Sequence, residues 1–340
     1  MKRLFALILL CTLLAGCAAA PQAEQTQYTA TFLTLFDTVT TIIGRAEDET
    51  AFQDKVQTIH DDLLCYHKLF DIYNDYDGVN NIKTINDNAG IAPVKVDKAI
   101  VDLLTDCKQY YELSGGRVNV MMGSVLQLWH EARNDGINDP ANARLPDSKA
   151  LKEAAKHTSM DSLIIDEAAS TVYIEDAQAS LDVGAVAKGW ATQRAAEAVT
   201  EGMLISVGGN VCATGPKKAD GTPWVIGIQN PDVPDENIHT LFVPFGSVVT
   251  SGDYQRAYAV DGKAYHHIID PDTLMPAAYW RSVSIVCDDS GLADALSTAL
   301  FLMNREDGEA LVRECGAEAL WIAADGAEYM TDGFEKMLRT

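Results

Sequence analysis

The stretch YTATFLTLFDTVTTIIGRA, Tyr28 to Ala46, alternates β-branched and aromatic residues with polar ones, the period of a strand or hairpin. From Glu49 to Tyr73 the period changes: apolar residues recur three and four apart, which predicts a helix ending at the turn-rich NDYDGVNN. A second helix is predicted across DKAIVDLLTDCKQYYELSGG, with Asp97 as N-cap and Gly115-Gly116 as the stop. The polar, turn-rich run from His130 to Ala150 predicts an exposed excursion. From Ser162 onward short strands dominate, in SLIIDEAASTVYIED, GMLISVGGNVCATG, PWVIGIQNP, FGSVVTSGDYQRAYAVDGKAYHHIIDP and RSVSIVCDD. Helices interrupt them over Ala185 to Val199 and Leu292 to Met303. Strand meanders with helices set beside them predict an α+β fold, and no repeat or internal linker divides it, so one compact unit is expected.

Composition then bounds what this unit can do. With 340 residues and 47% hydrophobic content the chain can bury a sizeable core. Lys2 and Arg3 precede an apolar run from Leu4 to Leu14, the charged start and short apolar core of an export signal, too short to span a membrane. The run closes on LAGC, Leu14 to Cys17, which resembles the lipobox of bacterial lipoproteins. That resemblance implies a diacylated Cys17 as the mature N-terminus and a lipid anchor on the extracytoplasmic face of the cell membrane. The expected division is a signal peptide over 1–16, a small-polar tether over 17–28 and a folded unit over 29–340. The formal net charge is −23, and −25 once Lys2 and Arg3 are removed, which argues against a nucleic-acid partner. Cys65, Cys107, Cys212, Cys287 and Cys315 are scattered without C-x-x-C spacing, so neither a zinc site nor a disulfide framework is indicated, and most are expected to be buried small hydrophobes.

Four segments carry candidate chemistry. LDVGAVAKGWATQRAAEAV, Leu181 to Val199, reads as a strand end, a glycine turn and a helix, a geometry that aims backbone N–H groups at an anion; strand-to-helix packing explains it equally well. It is not a Walker A loop, because Gly189 follows Lys188. SVGGNVCATG, Ser206 to Gly215, lets the backbone approach a ligand closely at Gly208-Gly209, or is simply a β-turn. In DALSTALFLM, Asp294 and Thr298 share a helix face, as a capping pair or as hard oxygen ligands suited to Mg²⁺. In AYHHIIDPDTLMP, His266 and His267 project to opposite faces if the segment is a strand, which disfavours a two-histidine metal site. One of them can then face a pocket as an acid or base, near the turn at Asp270-Pro271.

Taken in order, these motifs, with YNDYDGVNNIKTIN and GGRVNVMMGSVLQLW upstream, resemble those of ApbE-type FAD:protein FMN transferases, from LFDTVTT to AEALWIA. The resemblance implies an ApbE-like (T-fold-like) fold of mixed antiparallel sheets with flanking helices, and makes 29–340 a flavin transferase catalytic domain. It implies His267 as the catalytic base, with His266 a neighbour. It implies Mg²⁺ held by Asp294, Thr298 and the Ala185 carbonyl, and FAD, the substrate, contacted by Phe36, Tyr73, Arg117, Val118, Asn119, Asp182, Lys188 and Ile269. The implied reaction transfers FMN from FAD to a threonine of a membrane or exported flavoprotein and releases AMP. Three positions depart from the family: Phe36-Asp37-Thr38 replaces Met-Gly-Thr, Asn119 replaces an aspartate, and Leu274 replaces a glycine, which would change the shape of that turn. Two other readings share these residues, a Mg²⁺-dependent FAD diphosphatase that uses water, and a non-catalytic flavin-binding lipoprotein.

Overall fold

The computed structural model describes residues 25–199, 202–233 and 235–339, so the apolar leader, Cys17 and most of the tether lie outside the described residues. Its first element, β1 (Thr26–Leu35), runs antiparallel to β2 (Thr38–Ala46), as the alternation predicts. β1 starts inside the stretch 17–28 assigned to the tether: Gln27 and Tyr28 pair with Arg45 and Gly44, and Tyr28 stacks on Phe52 with ring centroids 5.5 Å apart. Burial of that aromatic face draws the last tether residues into the sheet. Leu35 pairs with Thr38, leaving Phe36 and Asp37 as a two-residue loop with φ of 53° and 52°. Positive φ at both central residues is the requirement of a type I′ hairpin turn, met here without glycine.

The next helices form for reasons visible in their ends and stripes. α1 (Glu49–Phe70) is capped by Asp48, whose carboxylate accepts the Ala51 N–H at 2.8 Å, and buries Phe52, Val56, Ile59 and Leu63. α2 (Ile82–Asp87) starts from a capping box between Asn81 and Thr84. After β3 (Val94–Lys95), α3 (Lys98–Leu113) has Asp97 as N-cap and stops where Gly115 and Gly116 adopt φ of 58° and 85°, as expected. α4 (Gly123–Asn138) overturns the expectation of an exposed excursion for 130–138, whereas 139–147 are largely exposed as expected. Val125, Trp129, Ala132 and Gly136 are buried at helical spacing, so the polar residues between them are a helix's outer face rather than a loop. α5 (Ser148–Ala154), capped by Asp147, follows.

β4 (Leu163–Asp166) and β5 (Thr171–Ile174) join β3 in a small sheet, and α6 (Ala187–Glu197) leads into β6 (Leu204–Val207) and β7 (Asn210–Ala213). β8 (Trp224–Gln229) and β9 (Asn237–Val243) form a separate ribbon, as do β11 (Ala257–Val260) and β12 (Lys263–His266), which follow β10 (Gly246–Gly252). The chain ends with β13 (Trp280–Cys287), α7 (Ser290–Phe301), α8 (Arg305–Cys315), β14 (Glu318–Ala323), β15 (Glu328–Met330) and α9 (Asp332–Met337).

Eight strands make one antiparallel sheet in the order β1-β2-β6-β7-β10-β13-β14-β15. Its central strands β10 and β13 are covered on both faces, so consecutive residues along them are buried, the polar ones among these being small hydroxyl side chains such as Ser247, Ser282 and Ser284. Val249, Val283, Ile285 and Trp321 face the core shared with α1, α3, α6 and α7, whereas Val248, Val286 and Leu320 meet Trp224, Ile226 and Leu241 of the β8–β9 ribbon and Phe334 of α9. A third cluster around Trp129, Tyr258 and Ile269 fastens α4 to the β11–β12 ribbon. The fold is α+β, with antiparallel sheets and flanking helices. Cys107 and Cys212 are buried, but Cys65 is exposed and Cys287 and Cys315 are half-buried, so fewer thiols fill the core than their residue type suggests.

Candidate active site

The turn into α6 is held from outside. Asn86 of α2 clasps Leu181 through both of its backbone groups, its Oδ1 accepting the Leu181 N–H at 2.7 Å and its Nδ2 donating to the Leu181 carbonyl at 3.0 Å. Asp182, the next residue, accepts the Gly184 N–H at 2.9 Å. α6 has no side-chain cap at Val186; instead Asp294 of α7 accepts the Gly189 N–H through Oδ2 at 2.8 Å. Gly189 permits this approach, since a Cβ there would lie 2.3 Å from the Ser290 carbonyl oxygen and 2.4 Å from Asp294 Cβ. Replacing Asn86 by alanine leaves two backbone groups beside Asp182 unpaired, and is expected to cost about 1–3 kcal/mol. A urea midpoint equal to that of the unaltered protein would show that the clasp contributes nothing.

Asp294 is buried, and Lys188 Nζ stands 3.5 Å from its Oδ2. Oδ1 and the half-buried Thr298 hydroxyl, one turn further along α7, make no hydrogen bond among the described residues. A buried carboxylate that already draws a cation, with an unpaired oxygen and a hydroxyl on one face, suits Mg²⁺, which takes few protein oxygens and leaves positions for phosphate and water. Among the described residues no group of three His, Cys, Asp or Glu side chains forms a metal cluster, so such an ion would also need the Ala185 carbonyl and its ligand.

The two histidines diverge. His266 is the last residue of β12 and points into the core: its Nε2–H donates to the Ala277 carbonyl at 2.9 Å, its Nδ1 accepts the Ile268 N–H at 3.2 Å, and its ring meets Phe301 edge-on at 5.5 Å. Both nitrogens are used. His267 lies just past the strand and, together with His266, lines a cleft with Trp129, His130, Arg133, Tyr258 and Tyr265. Its Nδ1 is buried and has no partner. Burial, followed by the positive charges of Arg256, Lys188 and Arg133, depresses its pKa to about 3, so the imidazole is neutral at physiological pH. Arg133 and Arg256 have no hydrogen bond or ion pair among the described residues. A chain of net charge −23 thus gathers unpaired cations around one neutral imidazole, which is a locus for an anion.

At His130, which lines this cleft, Tyr73 Oη lies 2.9 Å from Nδ1, and Nε2 lies 3.9 Å from Asp182 Oδ2. Burial lowers the His130 pKa, with Arg133 and Arg256 acting in the same direction against Asp182. Phe36 donates its N–H to His67 Nδ1 at 3.2 Å. The other expected flavin contacts line or flank a second depression, where Arg117 pairs with Asp272 at 2.6 Å and Asn119 is engaged by the Thr158 carbonyl at 2.9 Å and the Met121 N–H at 2.9 Å. Val118 and Ile269 are buried. Leu274 adopts φ of 61°, a conformation that favours glycine, with its N–H donated to the Asp270 carbonyl at 2.8 Å and its carbonyl held by Trp129 Nε1 at 3.0 Å.

Sequence reasoning missed His130, Arg133 and Arg256. The first two are three residues apart on α4, directly after the buried Trp129, a spacing that would have placed them on one helix face had the run been read as a helix.

The ApbE family model matches residues 26–321. A FAD:protein FMN transferase from Treponema pallidum is 36% identical over 263 residues, covering 72% of this chain and 71% of that protein. One from Klebsiella pneumoniae is 30% identical over 267 residues, covering 75% and 80%. The solved ApbE protein from Thermotoga maritima superposes with a TM-score of 0.81 at 30% identity, covering 93% of this chain and 100% of that one. The flavin transferase ApbE from Vibrio cholerae, 22% identical, shares the fold with a TM-score of 0.75 over 93% of this chain and 100% of that one.

Proposed function

The chain belongs to the ApbE family, and from that premise we propose that it transfers the FMN moiety of FAD to a threonine hydroxyl of a target flavoprotein and releases AMP. The observation that supports this reading most is the neutral, unpartnered His267 beside Arg133, Arg256 and Lys188: a proton acceptor next to a place for a diphosphate. The threonine oxygen attacks the flavin-side phosphorus, the bond from that phosphorus to the bridging oxygen breaks, and AMP leaves with the electron pair. His267 takes the hydroxyl proton, because a threonine is a poor nucleophile at its free pKa. Arg133 and Arg256 offset the diphosphate charge, and the α6 turn, fixed by Asn86 and Asp294, presents backbone N–H groups to it.

Asp294, Thr298 and the Ala185 carbonyl would hold Mg²⁺, which when bound supplies neutralisation of charge developing on the phosphate oxygens. The export-type leader and Cys17 support a lipid-anchored enzyme outside the cytoplasm, with membrane or exported flavoproteins as clients.

Purified protein mixed with FAD, Mg²⁺ and a flavin-accepting domain should yield an acceptor heavier by one FMN in mass spectrometry. Release of free FMN and AMP with no adduct would replace the transferase reading by the diphosphatase, and tight FAD binding without turnover by the carrier.

A further inference from the structure

We propose that His130 is a positioning residue for FAD, an imidazole at the cleft that ties the Tyr73 ring to α4 and to the turn at Asp182 before the substrate arrives. The proposal rests on the transferase reading only in taking FAD as the ligand. Tyr73 is 59% exposed and sits in the loop after α1, where its backbone N–H is accepted by Asp71. Among the described residues its hydroxyl has one hydrogen bond, to His130, 57 residues away. Without that bond little would fix the ring's direction.

His130 itself is well placed to act as a fixed post. It follows Trp129, which is buried and donates its indole N–H to the Leu274 carbonyl at 3.0 Å, so the α4 backbone at this turn is pinned to the segment after β12. A neutral imidazole has one acceptor and one donor nitrogen. With Nδ1 facing the phenol at 2.9 Å, the Tyr73 O–H donates to it, and the remaining N–H belongs on Nε2, which faces Asp182 Oδ2 at 3.9 Å as an electrostatic contact. Asp182 is anchored in turn by the Gly184 N–H and by its own N–H to the Val120 carbonyl at 2.8 Å. Three segments distant in the chain, the loop at Tyr73, α4 and the turn at Asp182, thus meet through one side chain that also borders the same cleft as His267. Immobilising a side chain in advance removes an ordering cost that binding would otherwise carry.

The test is a double-mutant cycle with His130→Ala, Tyr73→Phe and the double variant, reading FAD affinity by fluorescence titration and transfer by steady-state kinetics. Each single variant should weaken FAD binding and raise its KM roughly 3- to 10-fold with little change in kcat. The double variant should be no worse than either single one, because both remove the same bond. His130→Asn, whose amide oxygen can accept the phenol hydrogen, should recover part of the loss. Additive effects, or a fall in kcat without a change in KM, would overturn the proposal. Should His130→Ala fail to fold, Tyr73→Phe decides alone: affinity equal to that of the unaltered protein overturns it. A protein that binds FAD but gives no adduct refutes the transferase reading while the titrations still judge His130, and one that binds no FAD refutes both.

Discussion

Replacing His267 by alanine is expected to lower FMN transfer roughly 10²- to 10⁴-fold while leaving FAD binding nearly intact. The side chain has no hydrogen bond to lose among the described residues, its Nδ1 being without a partner, whereas the neighbouring His266 satisfies the Ala277 carbonyl and the Ile268 N–H. The contrasting substitution, His266→Ala, should therefore cost stability, about 1–3 kcal/mol for backbone groups left unpaired, and spare the chemistry of the molecules that fold. Single-turnover mass spectrometry of the acceptor and a thermal melt separate the two, and full transfer by the His267 variant would remove it from the mechanism. The pH dependence sharpens the expectation. With His267 as the proposed base its neutral form is the active one, so rate falls as pH drops through the pKa, which burial and the neighbouring positive charges hold at about 3 in the free protein. A bound diphosphate cancels part of that positive field and raises the pKa, so the acid limb of kcat should lie at higher pH than the acid limb of kcat/KM. Coincident limbs would mean that the anion does not sit beside His267.

How much of this was legible depends on the distance over which each contact acts. Alternation is a property of consecutive residues, and the two histidines do have different surroundings, His266 bonded to Ala277 and Ile268 and His267 with an unpartnered Nδ1, although β12 ends at His266 and both residues border the cleft. The caps at Asp97 and the stop at Gly115-Gly116 were legible for the same local reason. The cationic surroundings of His267 were not. They arise because α4 packs on the β11–β12 ribbon through Trp129 and Tyr258, a tertiary contact that carries Arg133 towards Arg256 and leaves no mark in the local period. Charge density misled in the same region, since the outer face of α4 reads as loop when its buried stripe is overlooked. Asp294 shows a subtler limit. A carboxylate near the start of a helix suggests its own cap, but Asp289 caps α7, accepting the Leu292 N–H at 2.8 Å, and Asp294 instead serves the start of a different helix. Only the close approach allowed at Gly189 makes that possible, and the sequence shows the glycine without its neighbour.

That double attachment makes Asp294 the second position where a large effect is expected, and two substitutions divide its roles. Asp294→Ala removes the acceptor of the Gly189 N–H and the partner of Lys188, and should cost about 1.5–3 kcal/mol, the worth of a hydrogen bond to a charged group. Asp294→Asn keeps an oxygen for Gly189 and removes only the charge, so it should fold with most of that stability retained. If Asp294 holds Mg²⁺, both variants lose the rise in melting temperature that increasing Mg²⁺ gives the unaltered protein, because an ion that binds only the folded state stabilises it by mass action. Transfer should fall roughly 10²- to 10³-fold in Asp294→Asn, the scale of losing one electrostatic element around a phosphoryl group. A stable Asp294→Asn protein that still melts higher with Mg²⁺ would place the ion elsewhere, and one that loses the Mg²⁺ response yet transfers FMN at full rate would separate the metal from the reaction. Lys188 adds a further expectation: with the carboxylate charge gone its ammonium is no longer held by Asp294, so FAD affinity without Mg²⁺ should rise in Asp294→Asn even as turnover falls.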